Sequence, residues 1–157
     1  MSISAFWRSA EPAARLAVAL LVIGTVAACS ADNRAVLHTA KGDFAFTIEI
    51  ADTNATRAKG LMFRTALAPD AGMLFDYHQE QPATFWMQNT LIPLDMVFIS
   101  ADGIVKTIHV NARPMDTTTI SSEVPVRFVL EIAGGRSVEI GLEPGDRMEQ
   151  VRVGTAQ

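Results

Sequence analysis

Through most of the chain apolar residues alternate with polar ones instead of recurring every third or fourth position, the two-residue period of strands with one buried face. Phe44, Phe46, Ile48 and Ile50 face one way, with Ala45, Thr47 and Glu49 between them. Val36-Leu37, ahead of a Lys41-Gly42-Asp43 turn, predicts a partner strand and a first hairpin. Asp102-Gly103 is expected to join a strand over Met96 to Ser100 to one over Ile104 to Val110, because Asp-Gly accepts the positive φ angles of a two-residue turn. Val126, Phe128, Leu130 and Ile132 alternate with Arg127, Val129 and Glu131, and a last strand is expected over Arg147 to Val153.

Two short helices interrupt this pattern. One is expected from an N-cap at Thr53 through Ala58, stopped by Gly60; the other follows Gly135 through Ile140 and stops at Gly141. About seven short strands with turn signals between them predict a mainly β domain, a compact β-sandwich, jelly-roll-like or barrel-like, with one or two short helices. One domain over residues 36–153 accounts for the pattern, and Gly154 to Gln157 reads as a frayed tail.

Before residue 36 the pattern changes. Arg8 and Arg15 precede an apolar run from Leu16 to Ala28, and small residues lead directly into Cys29, the only cysteine. The run is shorter than the about 20 residues a spanning helix needs, and a basic start, apolar core and small-residue site are the plan of a secretory signal. The expectation is a lipoprotein signal over residues 1–28, with Cys29 then acylated on sulfur and amine. Two or more acyl chains anchor stably where one is marginal. Residues 29–35 then form a lipidated tether and the domain faces the periplasm, partnered with a membrane through Cys29. Ser30 resembles an outer-membrane sorting position. The competing reading is an ordinary membrane anchor, or an ordinary signal cut near Ala31.

Charge narrows the partners. The chain carries a formal −4, and losing Arg8, Arg15 and Glu11 with the signal leaves about −5. Mild acidity without a Lys/Arg cluster argues against nucleic acid, which is held chiefly through its phosphates. Lipidation of Cys29 would also leave the domain no disulfide and no cysteine nucleophile.

The densest stretch is Arg57-Ala58-Lys59-Gly60-Leu61-Met62-Phe63-Arg64, then Gly72-Met73-Leu74-Phe75, then Phe85-Trp86-Met87-Gln88-Asn89-Thr90 and Pro93-Leu94-Asp95. With Val129-Leu130-Glu131, Gly134 and Gly145-Asp146 further on, these elements resemble the domain of unknown function 192 family of bacteria and archaea, over roughly residues 36 to 151. The resemblance implies a small β-sandwich, often secreted or lipid-anchored, and brings no activity with it.

The residues themselves suggest chemistry. Arg57 and Arg64 flank the Gly60 helix stop, so two guanidinium forks could clamp a carboxylate or phosphate, or else tie a loop to Asp95 or Glu131. Trp86 runs into Gln88, Asn89 and Thr90, an aromatic beside polar groups that suits a sugar or peptide, unless Trp86 covers the sheet and Asn89 caps its turn. Asp95 lies between Leu94 and Met96, which suits a structural salt bridge, although Asp95 and Glu131 facing one cleft would suit glycan hydrolysis or modification. The methionines permit Cu(I) binding but sit in apolar runs without close Met-x-Met spacing, and His38, His78 and His109 lack paired ligand spacing, so no metal or cofactor is expected. The sequence points to a lipid-anchored, non-enzymatic module for a small-molecule, glycan or protein partner. Its expected surface holds Arg57, Arg64, Trp86, Asn89, Thr90, Asp95 and Glu131.

Overall fold

A computed structural model describes residues 31–155; the expected signal segment, Cys29 and Ser30 lie outside the described residues. After a 3-10 turn at Ala31–Asn33 come β1 (Arg34–Thr39), β2 (Gly42–Ala51), α1 (Asn54–Lys59), β3 (Ala71–Phe85), β4 (Leu94–Ile99), β5 (Val105–Ala112), β6 (Ile120–Ala133), α2 (Arg136–Glu139) and β7 (Arg147–Glu149). The strands build one mixed sheet in the order β5-β4-β6-β3-β2-β1-β7. Its edges approach each other where Ile104 bridges Arg147 and where the Met148 N–H donates to Gly103 O at 2.8 Å. The sheet therefore curls into a half-barrel.

Curling gives the sheet two buried faces. Leu37, Phe46, Ile48, Leu74, Val97, Phe128, Leu130 and Ile132 fill the concave side. Met73, Phe75, Met96, Phe98 and Val129, from intervening positions of the same strands, face outward and are covered by Leu61, Met87 and their loops. The hydrophobic alternation on β2 holds: Phe46 and Ile48 are buried while Ala45, Thr47 and Glu49 are exposed. On β4 every residue is buried, because both faces are covered.

Local chemistry sets the two helices. Thr53 caps α1 through a reciprocal pair: its hydroxyl accepts from the Thr56 N–H at 3.1 Å, and its own N–H donates to the Thr56 hydroxyl at 3.0 Å. Gly60 ends the helix at φ 48° and ψ −139°, a backbone region essentially closed to side chains. α2 starts after Gly135, as its glycine boundaries predict.

Several boundaries move. The first turn is Ala40-Lys41, since Thr39 pairs with Gly42. The Asp102-Gly103 connection spans Ser100 to Ile104, with Ile99 opposite Val105, and only Gly103 takes a positive φ, so it is a longer loop rather than a two-residue turn. The expected tether ends sooner: Arg34 already pairs with Thr47, Ala35 is fully buried, and Arg152 holds the Asp32 carboxylate at 3.0 and 3.2 Å. The expected frayed tail is held at Gly154, which donates to Ala101 O at 3.1 Å, and at Thr155, whose carbonyl accepts from Arg127. β7 stops at Glu149 because Gln150 turns inward, its side chain bonding Asp32 O and the Arg152 N–H.

Candidate functional site

The crossover from β2 to β3 places a wall beside the outer face of the sheet. β2 and β3 are parallel, so the chain must leave Ala51, pass through α1 and the Gly60 turn, and return to Ala71. Arg57, on the last turn of α1, pins this crossover: Nη1 donates to Asp52 O at 2.7 Å and Asp76 O at 2.8 Å, and Nη2 donates to Asn54 Oδ1 at 2.7 Å. Its guanidinium also lies 5.1 Å from the centre of the Tyr77 ring. Between this wall and β3 lies a cleft of about 300 Å³, lined by Arg57, Lys59, Leu61, Tyr77, Trp86 and Glu131 among others.

Aromatic rings form much of the lining. Phe75 and Phe85 come from the two halves of β3 and meet edge to face, 5.0 Å between centres, because the strand bends at His78, where φ is 66° and the pairing with β6 breaks between Asp76 and Gln81. That bend brings Thr84, Phe85 and Trp86 back over Phe75 and Tyr77. Trp86 is 54% exposed at the mouth while its neighbour Met87 is buried, the split that alternation predicts.

Glu131 forms the floor. On β6 it stands opposite Met73 of β3 and Met96 of β4, so a thioether flanks it on each side. Gly72 allows the strands to close here: a Cβ at that position would stand 2.6 Å from the Glu131 carbonyl oxygen. Burial among these neighbours pushes the Glu131 carboxyl up to about 8, and among the described residues no donor or cation offsets it. Burial raises the Tyr77 hydroxyl as well.

The other buried acids are saturated. Asp95 accepts from the Asn111, Gly135 and Ser137 N–H groups at 2.8 Å each and from the Ser137 hydroxyl at 2.6 Å, capping α2 from a neighbouring strand. Burial raises the Asp76 carboxyl, but Arg127 at 3.0 and 3.2 Å and the His78 N–H at 2.8 Å outweigh it and hold the group below its usual range.

The structure separates several residues grouped from sequence. Asp95 pairs in register with Ile132, and Glu131 with Met96, so the two carboxyl side chains project from opposite faces and form no acid–base pair. Arg64 does not join Arg57 in an anion clamp; it makes a bidentate pair with Glu49 at 2.6 and 2.7 Å. Neither arginine is tied to Asp95 or Glu131: Arg57 holds carbonyls and Arg64 holds Glu49. Asn89 adopts a positive φ in its turn, accepts the Phe63 N–H on its carbonyl at 2.8 Å, and does not line the cleft, whereas Thr90 does. The cleft thus gathers Arg57, Trp86, Thr90 and Glu131. Sequence reasoning missed Lys59, Phe75, Tyr77 and Phe85 as its lining, although Lys59 and Phe75 fall within the dense motifs and Tyr77 is the only tyrosine of the chain.

Trp86 at the cleft and Phe63, Leu91 and Met115 elsewhere on the surface expose large apolar side chains. Phe63 and Met115 also hold positive φ, and their N–H groups donate to consecutive carbonyls, Asn89 and Thr90. Non-glycine residues in this region cost energy and concentrate where a site requires a fixed shape. Met73, Met87, Met96 and Met148 fill the cores. Among the described residues no group of three or more His, Cys, Asp or Glu side chains is placed to hold a metal ion, and no helix is long and apolar enough to cross a membrane.

Comparisons agree with this architecture. A crystal structure of a Sinorhizobium meliloti 1021 protein described as a candidate transcription regulator is 46% identical and superposes with a TM-score of 0.73, covering 74% of this chain and 92% of that one. A protein of unknown function from Novosphingobium aromaticivorans DSM 12444 is 43% identical with a TM-score of 0.72, covering 74% and 83%. No curated protein matches. The sequence pattern of DUF192, described as an uncharacterized ACR, matches residues 36–150. This chain belongs to the domain of unknown function 192 family.

Proposed function

We propose that the chain is a non-enzymatic ligand-binding domain held at the periplasmic side of the cell envelope by lipid on Cys29, with the Glu131 cleft as its binding site. One observation carries the binding reading: Glu131 is a buried carboxyl open to a cleft and without a partner among the described residues, while Asp76 and Asp95 are fully engaged. A buried polar group left unmatched costs stability, so a ligand that matches it gains affinity. The cleft, about 300 Å³, lies at the small end of ligand pockets and suits a compact molecule with an apolar body. The envelope address rests on the signal pattern ending at Cys29.

The mild acidity supports a ligand other than nucleic acid, and the regulator description stays with the Sinorhizobium protein. The test is saturation-transfer NMR of the full-length chain in detergent against a fragment set, repeated with Trp86→Ala and Glu131→Gln. Bound fragments should be lost in one or both variants. No bound fragment, or fragments indifferent to both substitutions, overturns the binding site. Incorporation of labelled palmitate, abolished in Cys29→Ser, tests the anchor; an unlabelled parent chain overturns it.

A further inference from the structure

The two ends of the cleft differ in kind, a carboxyl at one and cations at the other. Glu131 lies at the floor, 5% exposed, while Arg57 and exposed Lys59 border the mouth from the last turn of α1. Phe75, Tyr77, Phe85 and Trp86 line the space between. Arg57 is committed to Asp52, Asp76 and Asn54, whereas Lys59 makes no ion pair among the described residues and only contributes, behind Arg64, to holding the Glu49 carboxyl below its usual range. An anionic group at the mouth would therefore meet Lys59.

Building on the ligand-binding reading, we infer that the cleft takes an extended zwitterion: an alkylammonium end on Glu131, a methylene spacer along the aromatic walls, and a carboxylate beside Lys59. A simple amine would pass two cations and leave them unanswered, and a simple acid would place its charge against Glu131. An uncharged chain would leave the floor unmatched. Only a molecule with its charges separated by a spacer answers both ends, so an ω-amino acid or a lysine-like side chain fits where a short α-amino acid does not. Aromatic faces attract an ammonium group within about 6 Å, and a buried floor screens the ion pair less than bulk water does.

The ion pair requires ionised Glu131, so binding expels its proton. The charged or titratable groups that line the same cleft are Arg57 and Lys59 from α1 and Tyr77 from β3, and neither cation offsets the burial of Glu131. β4 presents Met96, and beyond Met73 on the same row of the sheet lies Glu49 of β2, held by Arg64. Affinity should therefore rise with pH while Glu131 is protonated, by about tenfold per unit, and level off above about 8.

Calorimetry of the full-length chain in detergent with 6-aminohexanoate, hexylamine and hexanoate tests this. The zwitterion should bind at least tenfold more tightly than either single-charge probe, and measurements in two buffers at pH 7 should show proton release. Glu131→Gln should abolish its binding. Lys59→Met, a substitution at an exposed site, should weaken it by about tenfold without weakening hexylamine. Equal binding of the three probes, pH-independent affinity, or indifference to Lys59→Met overturns the inference. Fragments that bind through Trp86 while 6-aminohexanoate does not would sink the zwitterion and leave the binding site standing; absence of both would sink the two together.

Discussion

Glu131 and Asp95 stand one register step apart on neighbouring strands and point to opposite faces of the sheet. Asp95 receives four hydrogen bonds and caps a helix; Glu131 receives none from the described residues and floors a cleft. Two acids of similar sequence setting thus separate into a structural group and a site group by the parity of their strand position. Their substitutions should have opposite effects.

Asp95→Ala removes the acceptor of three backbone N–H groups and one hydroxyl. Each unsatisfied buried donor costs about 1–3 kcal/mol, so urea denaturation should show a loss of roughly 3–5 kcal/mol. A loss below about 1 kcal/mol would contradict the capping role.

Glu131→Gln should stabilise the domain at alkaline pH. The folded carboxyl lies near 8 against an unfolded value of 4.5, so the folded state holds the extra proton between these values. The contribution of this group to stability is then greatest below about 4.5, falls as pH rises toward about 8, and levels beyond. The variant should flatten this fall and melt a few degrees higher at pH 8.5, roughly 3–6 °C. Parallel melting curves for both proteins across that window would refute the buried acid.

Asp76 and Arg127 form a buried pair at 3.0 Å with side chains 0% and 3% exposed. Arg127→Met leaves the buried carboxylate with only the His78 N–H at 2.8 Å and Arg152 at 3.6 Å, and should cost about 2–4 kcal/mol. Pairing it with Asp76→Leu should recover much of that loss, because two apolar groups leave no charge unpaired. A double variant no better than the single one would show that the ion pair is not the source of the cost.

His38 couples β1 to its neighbours, with Nδ1 2.8 Å from Asp43 and Nε2 3.3 Å from Glu149. The hydrogen bond to Asp43 raises the imidazole above 6.5, so its contribution is fully present below 6.5 and is lost as pH rises through the folded value. Both partners are exposed, so the effect is small. His38→Gln should reduce the melting difference between pH 5.5 and 8.5, and an unchanged difference would exclude it.

Arg64 and Glu49, for all their bidentate geometry, are a surface pair. Arg64→Ala should cost less than about 1 kcal/mol and leave cleft binding intact. Loss of binding in that variant would return Arg64 to the site.

Much of the fold was legible: one-sided burial writes itself into alternation on β2, the apolar runs of β4 and β6 read as strands although both their faces are covered, and Thr53, Gly60 and Gly135 mark the helix ends. β3 was not legible as a single strand. It pairs in parallel with β2, is covered on both faces, and changes direction at His78, so its pattern breaks where its register breaks. The site was half legible. Trp86 and Glu131 stood out by chemistry, but the neighbours of Glu131 depend on register: Met73 and Met96 lie 58 and 35 positions away and meet it only across the sheet. The pairing of Arg64 was not legible because nearness along the chain to Arg57 says nothing of Glu49, which waits on another strand.

The clamp of Arg152 on Asp32 and Asp52 has a mechanical consequence. β1 is laddered on both sides, to β2 and to β7, and its first residue follows directly on the clamped turn. Tension applied to the chain ahead of Asp32 would load those ladders lengthwise, in shear, after first straining the arginine. Many hydrogen bonds would then share the force instead of parting one at a time, and the half-barrel would resist being unravelled from the end on which it is pulled.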